Sequence, residues 1–159
     1  CPPLHRLMGL RTRLGVRSFA SSVARLLNPL HCEGQINGVF HTPYVAHMAG
    51  CNAELGQKRS LVFMGAEGEP ELYAARQKLL CAQQENALAL LAFPDAAGEP
   101  YPKQAESPAV LASDFAALLA GGGDAREHAV LLRMAEAFAF ASSGCLPDAW
   151  DIKEGFSQD

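Results

Sequence analysis

Apolar residues recur along the chain at two periods, and the switches between them mark out its elements. Leu4, Leu7, Met8, Leu10 and Leu14 fall at roughly helical spacing behind Pro2 and Pro3, which suit a first helical turn, and Gly15 can supply a left-handed stop. Phe19, Val23, Leu26 and Leu27 form the stripe of a second helix, with Ser18 as its cap and Pro29 beyond its end. Residues 1–28 therefore read as a helix pair. Gln35 to His41 predicts a strand running into a helix that begins near Thr42 and Pro43 and ends at Gly56. Ser60 to Met64 is apolar without alternation, which predicts a strand covered on both faces. Strand, helix and strand in close succession are the pattern of a right-handed crossover between parallel strands.

Further on, Leu79 to Ala82 and Leu88 to Phe93 flank the polar turn Gln83-Gln84-Glu85-Asn86 and predict an antiparallel hairpin at a sheet edge. Residues 94–108, dense in Pro, Gly, Ala and charge, read as loop. Two closing helices are expected within residues 109–145, one from about Ser113 to Ala120 and one from Asp124 to Ser143. In the latter, Asp124 and Glu127 have the spacing of a capping box and Gly144 can end the helix. The expected class is α/β, with a mixed, mostly parallel sheet over residues 35–93 flanked by helices. A chain of 159 residues, 49% of them hydrophobic, has the size and apolar content of one domain. Cys1 in place of Met, and an end without a terminating pattern, predict that this domain is part of a longer protein.

Charge alters this picture more than composition does. The net charge is -4, yet residues 1–32 carry Arg6, Arg11, Arg13, Arg17 and Arg25 with no acid, giving +5 against -9 for the remainder. Such an end suits an anionic partner; the alternative is that these arginines pair with acids elsewhere in the fold. Arg6 and Arg13, seven residues apart, share a helix face. No aromatic residue interleaves Arg6, Arg11, Arg13 and Arg17, which favours contact with a nucleic-acid backbone over base stacking. Five cysteines without close pairing read as reduced thiols of a cytoplasmic protein. No apolar run approaches a membrane span.

Familiar catalytic patterns are missing. Gly121-Gly122-Gly123 lies between two expected helices rather than between a strand and a helix, so it reads as a linker and not a phosphate cradle. The histidines never fall four apart on one helix, which gives zinc no support, and no Gly-x-Ser-x-Gly elbow points to a serine hydrolase.

Several anchors in one order do carry a resemblance. The run Leu10-Arg11-Thr12-Arg13-Leu14-Gly15-Val16-Arg17-Ser18 resembles the V-R-x-x-L-G-x-R-T stretch of the anthranilate phosphoribosyltransferases. Asn28-Pro29, then Asn37-Gly38-Val39, Glu54-Leu55-Gly56 and Leu61-Val62-Phe63-Met64-Gly65-Ala66-Glu67-Gly68 fall where that family has its N-P, its Gly-Val strand and its buried strand with an H-G-x-x-G turn. The opening Cys1-Pro2-Pro3-Leu4, the spacing of Arg11, Arg13, Gly15, Val16 and Arg17, and Glu67-Gly68-Glu69 resemble a branch of the same superfamily, the YbiB-type DNA-binding proteins.

The resemblance implies the carboxyl-terminal part of a phosphoribosyltransferase-like α/β domain, without the helical amino-terminal region and its homodimer contacts. Arg11 takes the place of the arginine that approaches the aromatic acceptor, where a planar guanidinium suits a carboxylate. Ser21 stands where the enzymes have Asn. Pro70-Glu71 stands where they have the Asp-Glu pair that holds magnesium on phosphoribosyl diphosphate, which leaves Glu71 as the one remaining carboxylate ligand. The enzymes' glycine-rich donor loop lies upstream of these residues. Two functions therefore stand side by side. One is a nucleic-acid-binding protein that meets DNA or RNA backbone through Arg6, Arg11, Arg13 and Arg17. The other is a transferase using phosphoribosyl diphosphate, magnesium and an aromatic acceptor.

Overall fold

The computed structural model describes residues 2–15, 19–65, 79–92, 108–147 and 150–153. Helix α1 spans Pro2–Leu14, α2 Phe19–Leu26, strand β1 Gly34–Val39, α3 Tyr44–Glu54 and β2 Arg59–Met64. A hairpin of β3 (Leu79–Gln84) and β4 (Ala87–Ala92) follows, then α4 (Pro108–Leu119), α5 (Ala125–Ser143) and the short β5 (Asp151–Lys153). The expected cap Ser18, residues 94–107 of the expected loop over 94–108, and Glu71 lie outside the described residues, while Pro108 opens α4 five residues before the expected start at Ser113.

The strands form one sheet in sequence order, β1-β2-β3-β4-β5. The α/β class and the mixed sheet between helices are as expected, but parallel pairing does not predominate. Among the described residues only β1 and β2 are parallel; β2·β3, β3·β4 and β4·β5 are antiparallel. Connection geometry accounts for this. Helix α3 is a crossover that can return the chain in the same direction, whereas β3 and β4 are joined by Glu85-Asn86, a link that permits only reversal. Strand β5 was not foreseen, its three residues being too few to show a period.

Helices cover both faces. On one, Val39, Val62 and Cys81 pack with Val45, Met48 and Ala49 of α3; on the other, Leu61, Phe63, Leu80 and Leu91 pack with Ala137 and Phe140 of α5 and with Trp150. Neighbouring residues of β2 thus serve opposite cores, so the strand is apolar throughout. Trp150 closes the second core, its Nε1 donating to Glu136 Oε2 at 2.9 Å. Gly34 is required at the layer contact, since a Cβ there would fall on the Ala141 carbonyl of α5. No helix among the described residues is long and apolar enough to cross a membrane.

Candidate anion-binding face and adjoining groove

Helix α1 ends on Gly15 at a φ of 70°, the left-handed conformation that suits a glycine after a helix. It carries Arg6 and Arg13 as exposed residues, and among the described residues no hydrogen bond or ion pair engages either. Arg11 lies on the same helix by its backbone, and Arg17 is outside the described residues. Two of the four arginines selected from the sequence are thus shown to face solvent.

Arg25 is different. Its Nη1 donates to the Gly38 carbonyl at 2.9 Å, and its own carbonyl accepts from Gln35 Nε2 and Asn37 Nδ2, each at 2.7 Å. Asn37 Oδ1 in turn accepts from Asn52 Nδ2 at 2.9 Å. This residue pins the end of α2 to β1 and links both to α3, so its guanidinium serves the fold. Asn28 acts similarly. Its Oδ1 accepts from the Cys32 amide at 2.9 Å, and its Nδ2 donates to the Cys32 carbonyl and to Gln57 Oε1, each at 2.7 Å. That clamp holds the turn in which His31 adopts a φ of 51°. Two of the anchors that carry the family resemblance, Asn28 and Asn37, are therefore architectural.

A groove of about 720 Å³ opens between α2, the carboxyl end of β1 and the start of α3. The carboxyl ends of strands are where α/β sheets commonly take ligands. Leu26, Val39 and Met48 are among its apolar lining; Ser21, Ser22, His41, Tyr44 and His47 supply polar groups, and none of its described lining residues is acidic. Three rings at its edge are well exposed: Phe19 at 72%, Tyr44 at 58% and Phe40 at 55%. The His41 ring stands edge-on to Phe40 with centroids 4.8 Å apart, and lies 6.3 Å from Tyr44. Sequence reasoning passed over these aromatics because they follow Arg6, Arg11, Arg13 and Arg17 rather than interleave them. The run Phe40-His41-Thr42-Pro43-Tyr44 at the end of a predicted parallel strand was the available signal. Among the described residues, no group of three or more His, Cys, Asp or Glu side chains is placed to hold a metal.

No protein-family model matches the chain. It is 33% identical over 129 residues to YbiB of Escherichia coli K12, described as uncharacterised, an overlap covering 76% of this chain and 38% of that protein. An anthranilate phosphoribosyltransferase of Synechococcus elongatus is 37% identical over 70 residues, covering 44% of this chain and 20% of the enzyme. One from Listeria monocytogenes is 28% identical over 134 residues, 83% of this chain and 35% of the enzyme. The chain thus spans well under half the length of each of these relatives. Homology over most of its length places the chain in the anthranilate phosphoribosyltransferase-like superfamily.

Proposed function

We propose that this protein binds nucleic acid, without sequence preference, through the phosphate backbone, on a phosphoribosyltransferase-like scaffold. The observation that carries this reading is the acid-free first helix, on which Arg6 and Arg13 share one face, stand in solvent and meet no carboxylate among the described residues. Guanidinium groups held this way exchange condensed counterions for direct contact, so affinity falls steeply with salt. Arg11 and Arg17 add to the positive charge of this end of the chain. Contacts to phosphate fix position and carry no sequence information, so binding by this route is indifferent to sequence.

The test is electrophoretic retardation of the protein with duplex DNA and duplex RNA as salt is raised from about 50 mM, where a footprint of several phosphates binds strongly. Replacing Arg6 and Arg13 together with Ala lowers the slope of log affinity against log salt by nearly one unit per arginine, equally for unrelated sequences. An unchanged slope, or no retardation, defeats the reading.

A second reading is favoured by the identity to anthranilate phosphoribosyltransferases: transfer of a phosphoribosyl group to an aromatic acceptor, with Arg11 orienting the acceptor's carboxylate. Proline at position 70 removes one of the two carboxylates that this chemistry uses for magnesium, leaving Glu71. Pyrophosphate release from phosphoribosyl diphosphate, with magnesium and a panel of aromatic acids, decides it.

A further inference from the structure

We propose that a buried polar ring between α3 and strands β1, β2 and β3 binds one monovalent alkali cation through the side-chain oxygens of Gln35, Asn52, Ser60 and Gln83. Register sets three of these residues in a row: Gln35 stands opposite Ser60, and Ser60 opposite Gln83. The row lies on the face that α3 covers, since residues two apart on a strand point the same way and Val39, Val62 and Cys81 pack against that helix. Hydrogen bonds close the row into a ring. Gln35 Nε2 and Asn37 Nδ2 both donate to the Arg25 carbonyl at 2.7 Å, and Asn52 Nδ2 donates to Asn37 Oδ1 at 2.9 Å. The Gln57 amide donates to the Asn52 carbonyl at 2.9 Å, and Gln83 Nε2 donates to the Gln57 carbonyl at 2.8 Å.

One kind of atom is left over. Gln35 Oε1, Asn52 Oδ1, Gln83 Oε1 and Ser60 Oγ are buried and meet no hydrogen-bond partner among the described residues. Asn52, Ser60 and Gln83 are at most 1% exposed as whole residues. Turning the amides round cannot relieve this. The nitrogens of Gln35 and Gln83 are committed to backbone carbonyls, and that of Asn52 to Asn37 Oδ1, whose own nitrogen is committed to Arg25. One water donates two hydrogen bonds, too few for three amide oxygens, and the Ser60 hydroxyl reaches none of them. A cation meets all four oxygens at once, as carbonyl oxygens replace the hydration shell in potassium-selective filters.

The local field has the matching sign. Arg25 lies in the last turn of α2 and Asn52 in the last turn of α3, so two helix carboxyl ends, each partially negative, meet at the ring. Lys58 and Arg59, which precede Ser60, are paired with Glu33, and Arg59 reaches α5 on the opposite face. With no carboxylate among the four ligands, the ring suits sodium or potassium rather than calcium or magnesium.

The test is urea unfolding at fixed ionic strength, with sodium or potassium chloride exchanged for tetramethylammonium chloride, whose methyl groups keep its charge away from oxygen ligands. Each tenfold rise in the bound ion above its dissociation constant lowers the unfolding equilibrium constant about tenfold. Ser60→Ala, which removes one ligand without adding bulk, flattens that dependence. Crystals soaked in thallous acetate, as a potassium mimic, show an anomalous peak among the four oxygens. Equal stability in all three salts overturns the inference and leaves the ring to ordered water. A selective effect undiminished in Ser60→Ala, or thallium bound only elsewhere, overturns it by placing the ion at another site. Should Ser60→Ala fail to fold, the thallium position in the wild-type protein decides alone.

Discussion

Single side chains divide here between those that close the fold and those left for a partner, and Arg59 shows how completely a cation can be absorbed. Its Nε donates to the Ala141 carbonyl at 3.1 Å and an Nη to the Ser142 carbonyl at 2.9 Å, satisfying last-turn oxygens of α5 that have no partner within the helix. Glu33 adds an ion pair at 3.2 Å, and the Lys58 hydrogen bond, then that of Arg59, hold the Glu33 carboxyl below its usual range. Stability from this contact is present above the ordinary carboxyl pKa and is lost as pH falls through the lowered one. Arg59→Lys keeps the charge but loses the planar fork, and should lower stability by about 2 kcal/mol in urea unfolding; Glu33→Gln, on an exposed residue, should cost far less. Cys81, inside the α3 core, behaves oppositely to a reactive thiol, since burial pushes its pKa up to about 11 from 9.0. Raised in the fold, this thiol contributes stability in full below pH 9, and the contribution fades as pH rises towards 11. At pH 8 the exposed Cys32 and Cys145 should react with a thiol reagent in the native protein while Cys81 does so only after urea is added. Labelling followed by peptide mass analysis reads this directly.

Elements whose signals are local were legible in the sequence, and those that depend on distant partners were not. The capping box at the start of α5 is one such local signal: the Asp124 amide donates to Glu127 Oε2 at 2.7 Å, and the Glu127 amide donates to Asp124 Oδ1 at 2.9 Å. Asp124→Ala should therefore cost about 1 kcal/mol of stability, read as a lower urea midpoint. Helix stops at Gly15 and Gly144, at φ of 70° and 79°, were equally visible. The hairpin was expected with a four-residue turn, and its strands instead run on through Gln84 and from Ala87. Polar Gln83 did not look like a core residue, yet it is fully buried, with its Nε2 donating to the Gln57 carbonyl at 2.8 Å. The tighter turn puts Glu85 at a φ of 53°, where a Cβ is strained. Glu85→Gly should raise the urea midpoint by the equivalent of about 1 kcal/mol, and a drop would mean that the side chain is doing more than it shows. Parallel pairing was overestimated for a related reason: an apolar strand without alternation reports cover on both faces, and the helices supply that cover here whichever way the neighbouring strand runs.

At the scale of the whole molecule, the cationic half of the candidate site was legible and the aromatic half was not. Arginines without acids stand out in a linear count, whereas Phe19 and Tyr44 come to line one groove only because α2 and α3 pack on one side of β1. The same layering separates a rigid frame from a responsive face. Strands β2 and β3 lie inside the sheet with cores on both faces, and Leu61, Phe63 and Leu80 are fully buried there. Helices α1 and α2 lie to one side of that frame, with Leu7, Met8, Phe19 and Val23 exposed. Amides of residues 61–63 and 80–82 should consequently exchange only through global unfolding, while those of α1 exchange through local opening. A ligand that binds the folded face raises the free energy of every opening that destroys its site. Adding saturating duplex DNA at low salt should then slow exchange in α1, measured by peptide-resolved mass spectrometry. Local openings of α4 and the middle of α5, which leave the site intact, should proceed at their former rates. Protection confined to α5 or the hairpin would put the nucleic acid on the wrong side of the sheet for the guanidinium groups of Arg6 and Arg13.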